Sequence, residues 1–275
     1  MTALDQLRDW PVADAAAAVV GRTGVLASAG DTSLRFRLAS LTKPLTALAA
    51  LVAVEEEAVT LADPLPGRLA DELPGATLRH LLCHASGIGP TDRARAALPG
   101  SRRIYSNSGF DLVGEMVAAA AGIPFSQYLH EAVLAPLRMG ATLDGSPASD
   151  GHGCVDDLVA VLAELMAPGR LLDPSTLTAA TDVQFPGLVG VLPGFGIQRP
   201  NDWGLGFEIR GTKSPHWTSE QNSPATYGHF GQSGTMFWVD PNAGLGLVAL
   251  ADRDFGEWAA AAWPALSSAV LAEFG

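Results

Sequence analysis

The chain is short of positive charge. Its 275 residues hold 17 Lys and Arg against 29 Asp and Glu, a formal charge of −12, and only Lys43 and Lys213 are lysines. Without an excess of Lys or Arg there is little to neutralise phosphates, which argues against nucleic acid and membrane partners and for a small neutral substrate. Cysteine is as scarce. Cys83 and Cys154 form no Cys-x-x-Cys pair, so neither a disulfide framework nor a zinc knuckle is indicated, and both read as buried thiols. No apolar run reaches the ~18 residues of a membrane span. The opening MTALDQLRDWPVADAAAAVVGRTG sets acids and a proline where an export signal needs a basic end and an unbroken apolar run, so a cytoplasmic location is expected. Gly-x-Ser-x-Gly is absent, which excludes the nucleophile elbow of the α/β-hydrolases as a motif.

What is present is a chain with 48% hydrophobic residues, enough for a substantial core. AAAAVVGRTGVLASAGD reads as two short strands around a glycine-flanked turn. From Ser40 the period changes: Leu45, Leu48, Ala49 and Val52 recur at i, i+3, i+4, i+7, the stripe of an amphipathic helix. Pro44 falls in its first turn, where the missing amide hydrogen has no helical partner. Helical stretches follow near 77–84, 107–121, 125–134 and 154–167. Past Trp203 the strands return in WGLGFEIRG, GTMFWVD and LGLVALAD, the last two joined by a PNAG turn, before a final helix from about Gly256 to Phe274. Strands at both ends with helices between predict an α+β fold: residues 1–60 and 201–275 build one sheet-containing lobe, and 61–200 form an inserted, mainly helical lobe.

Seventeen serines and two lysines meet at Ser-x-x-Lys by chance in roughly one such chain in eight, so the neighbourhood must decide what LASLTKPLTALAAL means. A serine hydroxyl needs a base to become a nucleophile, and a lysine serves only if burial drives the proton off its ammonium. A helix N-terminus disfavours a second positive charge and favours an oxyanion nearby. The bland alternative is that Ser40 caps the helix and Lys43 is solvated.

RLASLTKP, LRHLLCHASGI, RIYSNSGFDLVGEMVAAAAG and YGHFGQSGTMFWVDP stand in the order found in the serine β-lactamase-like family of class C β-lactamases, DD-peptidases and related carboxylesterases, and the chain resembles that family over most of its length. The resemblance implies a β-lactamase/transpeptidase-like fold, Ser40 as acylated nucleophile, Lys43 as its proton partner, Tyr105 of YSN as second proton-transfer group and Asn107 as a substrate contact. It also implies an oxyanion hole from the backbone amides of Ser40 and Gln232. A tyrosine beside an ammonium has its anion stabilised, so Tyr105 is expected to be the base for the attacking water. Asn107 or Ser108 is the competing helix cap.

One element departs from the penicillin-recognising pattern. Where β-lactamases and DD-peptidases carry Lys-Thr-Gly, this chain reads His229-Phe230-Gly231, which resembles the esterase-like members. A histidine is mostly neutral near pH 7 and offers at most one partly charged donor, a poor seat for a substrate carboxylate. Gly231 is expected to let a substrate approach the strand edge, and Lys213 of GTK to be a solvated charge. His80 and His84 stand at i, i+4 without a third ligand, so they read as rings bonded to backbone or solvent; no metal and no cofactor is expected. The tryptophans read as core or cleft wall, and Glu55, Glu56 and Glu57 as a solvated face. Only 17 residues separate Gly87 from Tyr105 and 49 separate Gly153 from Trp203, short for the family the chain resembles, so trimmed substrate-walling loops are expected. Together these features predict a serine hydrolase of small carboxylic esters. A DD-peptidase, weak β-lactamase or amide hydrolase is the alternative, and an inert binding protein of the same fold the third possibility.

Overall fold

A computed structural model of the chain describes residues 2–275. Strands β1 (Ala15–Gly21), β2 (Gly24–Ala29), β3 (Glu208–Ile209), β4 (Tyr227–Gly231), β5 (Thr235–Asp240) and β6 (Leu245–Ala251) form one antiparallel sheet in the order β2-β1-β6-β5-β4-β3. Its register places Ala18 opposite Val248, Val248 opposite Phe237 and Phe237 opposite His229, so the two ends of the chain meet side by side. Both turn sequences act as expected, but WGLGFEIRG contributes only Glu208 and Ile209 as strand.

The strands alternate between two cores. Ala16, Ala18, Val20, Phe237, Val239, Val248 and Leu250 face one, and Ala17, Val19, Met236, Trp238, Leu247 and Ala249 face the other. Burial on both faces is why these strands read as nearly continuous apolar runs. Helices α1 (Thr42–Glu55), α2 (Asn107–Ala121) and α3 (Val155–Met166) pack in the first core, and α4 (Glu257–Phe274), with Trp263, closes the second. No helix among the described residues is long and apolar enough to cross a membrane.

Helix α1 corrects the sequence reading in one respect. Thr42 through Leu51 are all buried, so this is a helix enclosed all round, not one with a solvated face. Its Leu48 has no exposed surface. Leu48→Ala should destabilise the fold by about 2–5 kcal/mol, read as a lowered urea midpoint, whereas Val25→Ala on β2, at 51% exposure, should stay within about 0.5 kcal/mol.

The middle of the chain holds further elements beyond those expected: a helix at Pro174–Thr181 and a hairpin of Gly190–Leu192 with Gly196–Gln198. Arg103 is buried, and its guanidinium donates to the carbonyls of Cys83 at 2.8 Å and Asn201 at 3.1 Å, as well as to Gln184 and Phe185. It ties the strand-like segment before Tyr105 to the loops around it.

Candidate active site

The turn that presents Ser40 is held from several sides. Ala39, just before it, has φ of +45°, a left-handed conformation that a residue with a Cβ adopts only under constraint from its surroundings. The constraint is visible: the Ala39 carbonyl accepts from Thr42 Oγ1 at 2.6 Å, and Thr42 Oγ1 accepts from the Gly151 amide at 2.9 Å. From the sheet, Thr235 Oγ1 donates to the Leu38 carbonyl at 3.0 Å and Ser233 Oγ to the Arg37 carbonyl at 2.6 Å. A Cβ on Gly231 would stand 2.4 Å from that Leu38 carbonyl. The neighbour that this glycine admits is therefore the backbone of the nucleophile turn.

Lys43, one helical turn after Ser40, is wholly buried. Its Nζ lies 3.1 Å from Ser40 Oγ, 2.7 Å from Asn107 Oδ1 and 3.0 Å from the Ala148 carbonyl. Burial pulls its pKa down to about 7, against a weaker upward pull from Asp111. The reading of Lys43 as a solvated side chain is thereby excluded. Ser40 does not cap α1 through its side chain; α2 is capped by Ser106, whose Oγ accepts from the Gly109 amide at 2.9 Å. The cap thus lies one residue before Asn107 and two before Ser108, the competing candidates, which frees Asn107 to meet Lys43.

Tyr105 precedes that cap. The Lys43 ammonium sits 4.6 Å from the centre of its ring, a cation–π contact, and His84 packs 4.6 Å away on the ring. Burial raises the phenol's pKa, and the Ser40 hydroxyl offsets this only in part. Burial thus favours the protonated phenol.

His229 lies on β4, buried, with its Nδ1 2.7 Å from the Phe230 carbonyl. A carbonyl oxygen only accepts, so Nδ1 carries the hydrogen. Burial and the charge of Lys43 lower the pKa to about 3, so the ring is neutral and Nε2 is a bare lone pair. The partly charged donor expected at this position is replaced by an acceptor.

Ser40, Tyr105, Asn107, His229 and the exposed Gln232 come together around a cavity of about 190 Å³. Sequence reasoning missed several of its walls. Leu192 and Pro193 come from the unexpected hairpin, and Phe230 lies between two residues already singled out; Trp203 is a cleft wall, one of the two places expected of the tryptophans. Glu208 is the most informative omission. An acid flanked by Phe207 and Ile209 in a strand is a signal of a buried charge, and here its carboxylate meets Lys213, His216 Nε2 at 2.9 Å and Trp217 Nε1 at 2.9 Å. Burial alone would raise its pKa, but His216 and Lys213 together hold it below the carboxylate range. Lys213 is accordingly a buried ion-pair partner and not the solvated charge expected.

Other candidates fall away from the cavity. His80 Nδ1 lies 2.9 Å from Thr77 Oγ1, and His84 Nδ1 accepts from the Ser106 amide at 3.2 Å. Cys83 is buried, but Cys154 is only half so. Of the glutamate run, Glu56 accepts from the Tyr128 hydroxyl at 2.7 Å and Glu55 from the Asp173 amide at 2.8 Å, so this exposed face also ties two helical segments down.

The Beta-lactamase family model matches residues 6–271, and the chain belongs to that family of serine hydrolases, whose members include esterases, DD-peptidases and β-lactamases. A β-lactamase from Mycobacterium bovis, known from its crystal structure, is 54% identical with a TM-score of 0.95, the match covering 99% of each chain. EstCE1, a hydrolase with promiscuous acyltransferase activity, shares the fold at 17% identity and a TM-score of 0.80, over 98% of this chain and 96% of its own. The D-alanyl-D-alanine-carboxypeptidase/endopeptidase AmpH of Escherichia coli K12 is 31% identical over 137 residues, 38% of this chain and 36% of AmpH. The chain thus matches about a third of the length of such curated relatives.

Proposed function

We propose that the chain hydrolyses small carboxylic esters through an acyl-enzyme on Ser40. The observation that carries this reading is the position of Lys43, buried, with its pKa pulled down to about 7, and 3.1 Å from the Ser40 hydroxyl. As a free amine it donates its two hydrogens to Asn107 Oδ1 and the Ala148 carbonyl, which leaves its lone pair for the Ser40 proton. Ser40 Oγ attacks the ester carbonyl as that proton passes to Lys43. The amides of Ser40 and Gln232, neither of which donates to another group among the described residues, receive the oxyanion.

The C–O bond to the leaving group then breaks. Tyr105 gives its hydroxyl proton to the departing alkoxide and takes one from the Lys43 ammonium, so both groups return to their starting states. Deacylation runs the same relay backwards: water attacks, its proton passes through Tyr105 to Lys43, and Ser40 recovers a proton as the acid leaves. This sequence asks nothing of a tyrosinate.

The second reading, a β-lactamase or DD-peptidase, is favoured by what the M. bovis relative and AmpH are named for. Against it stands His229, which supplies no cation for the carboxylate such substrates carry. An inert binding protein is disfavoured because Ser40, Lys43 and Tyr105 are brought together with an open cavity beside them. Hydrolysis of p-nitrophenyl acetate and butyrate should be measured beside that of a chromogenic cephalosporin, for the wild type and Ser40→Ala. Ester turnover is expected, lost in the variant, with little cephalosporin cleaved. Preferential cephalosporin turnover would hand the site to the second reading, and equal idleness of both proteins on all substrates would remove the catalytic one.

A further inference from the structure

We infer that Asp111 is a positioning residue of this site: hung on Ser146, its carboxylate holds the Ala148 carbonyl against the Lys43 nitrogen and places one negative charge behind it, and so sets the pH at which the site starts to work. This rests on the proposed esterase reading, in which Lys43 takes the Ser40 proton. Asp111 does not line the active-site cavity and acts through Lys43. The connection is a chain of hydrogen bonds. Ser146 Oγ donates to Asp111 Oδ1 and accepts from the Ala148 amide at 3.0 Å, and the carbonyl of that same Ala148 lies 3.0 Å from Lys43 Nζ.

The segment 146–151 is held from both helices. On the α1 side, Thr46 Oγ1 donates to the Pro147 carbonyl at 2.7 Å and Thr42 Oγ1 accepts from the Gly151 amide at 2.9 Å. On the α2 side stands Asp111. It lies at i+4 from Asn107, so the face of α2 that offers Asn107 Oδ1 to Lys43 offers the Asp111 carboxylate one turn further on. A Cβ on Gly114, in the next turn, would stand 2.5 Å from Pro147 Cγ, so the segment lies directly on this helix. The other groups around the Lys43 nitrogen bring no charge. Ser40, Asn107 and the Tyr105 phenol are neutral partners, and His84 and His229 are held neutral by burial and by Lys43 itself. Arg93 and Glu115, which line with Asp111 a separate cavity of about 520 Å³, form a pair of their own and add no net charge. The Asp111 carboxylate is thus what opposes the burial that draws the Lys43 pKa down.

A carboxylate favours the ammonium over the free amine, so its removal should let Lys43 lose its proton at lower pH. The acid limb of kcat/KM, which falls as the ammonium forms, should then move down in pH. Asp111→Asn tests this, because the amide oxygen still accepts from Ser146 while the charge is lost, and a half-buried position at the edge of an open cavity admits the isostere. kcat/KM for p-nitrophenyl butyrate is followed from pH 5 to 9, each profile divided by its own alkaline plateau, so that the limb does not depend on how much of a sample is folded. The limb of Asp111→Asn should lie about half a pH unit below that of the wild type, as for one partly screened charge, leaving the variant about a 3-fold larger share of its plateau at pH 5.5. Asp111→Ser, a second neutral variant, should move the limb the same way. Asp111→Glu, which keeps the charge, should leave it within about 0.2 pH unit of the wild type.

A merely structural role for Asp111 would lower the plateau and leave the limb where it was. A limb unmoved in the neutral variants, or moved to higher pH, therefore overturns the inference while the esterase reading stands. So does a limb that Asp111→Glu displaces as far as Asp111→Asn, since the charge would then be irrelevant. A wild type without an acid limb, or without ester turnover, overturns the reading of Lys43 on which the inference rests.

Discussion

Lys43→Met should lower ester kcat/KM by about 10³- to 10⁴-fold while the fold survives, the upper part of what a positioned proton acceptor supplies. Methionine is similar in length and apolar, and suits a site with no exposure. The cost falls on Asn107 Oδ1 and the Ala148 carbonyl, which lose their shared donor. Acylation itself should fail, so a p-nitrophenyl ester should give no burst of p-nitrophenol.

The pH profile separates a base from a positioning charge. Only the free amine accepts the Ser40 proton, and burial sets the pKa of Lys43 at about 7. The wild-type kcat/KM should therefore fall as pH drops below about 7 and level off above it, the limb reporting the free enzyme. Lys43→Arg keeps a positive charge that cannot be removed, so it should be as inactive as the methionine variant across that window. Activity in Lys43→Arg within about tenfold of wild type, or a wild-type profile flat from pH 5 to 9, would show that Lys43 holds Ser40 in place without taking its proton.

The difference between what the sequence disclosed and what it hid follows from the range of the interactions involved. Strand and helix positions depend on local patterns, so the β1–β2 hairpin, the β5–β6 turn and the helices near 107–121 and 154–167 were legible within a few residues. Which side of an element is buried depends on partners distant in sequence. Helix α1 showed an apolar stripe, yet residues on every side of it are buried, including Thr42, Lys43 and Thr46. Lys213 looked like one charge in a polar loop because its partner Glu208 lay in another segment that read as plain strand.

Within the site, Ser40 and Lys43 were legible because a three-residue spacing at a helix start fixes their proximity through local geometry. The role of Asn107 toward Lys43 was not, since it needs α1 and α2 to be adjacent. Nor was the state of His229. A histidine's free nitrogen is a donor or an acceptor according to what the other one meets, and here the other meets a backbone carbonyl that no residue type announces.

Tyr105→Phe should slow turnover by about 10²- to 10⁴-fold, with the loss depending on the leaving group. The substitution is clean because the ring contacts with His84, Trp203 and His229 remain and only the hydroxyl is removed. An alkoxide must be protonated as it leaves, so acylation by ethyl butyrate should suffer the full effect. p-Nitrophenolate departs without a proton, so acylation by p-nitrophenyl butyrate should stay nearly as fast as in the wild type. Deacylation by water needs the relay whatever the leaving group was. The variant should therefore release a burst of p-nitrophenol close to one equivalent per site and then turn over slowly, with a butyryl group trapped on Ser40 that intact-mass measurement detects as one added acyl unit. With ethyl butyrate no acyl-enzyme should build up. Equal losses in the burst rate and in ethyl butyrate turnover would mean that the phenol only positions Ser40 and Lys43, and an unchanged rate on both esters would remove Tyr105 from the mechanism.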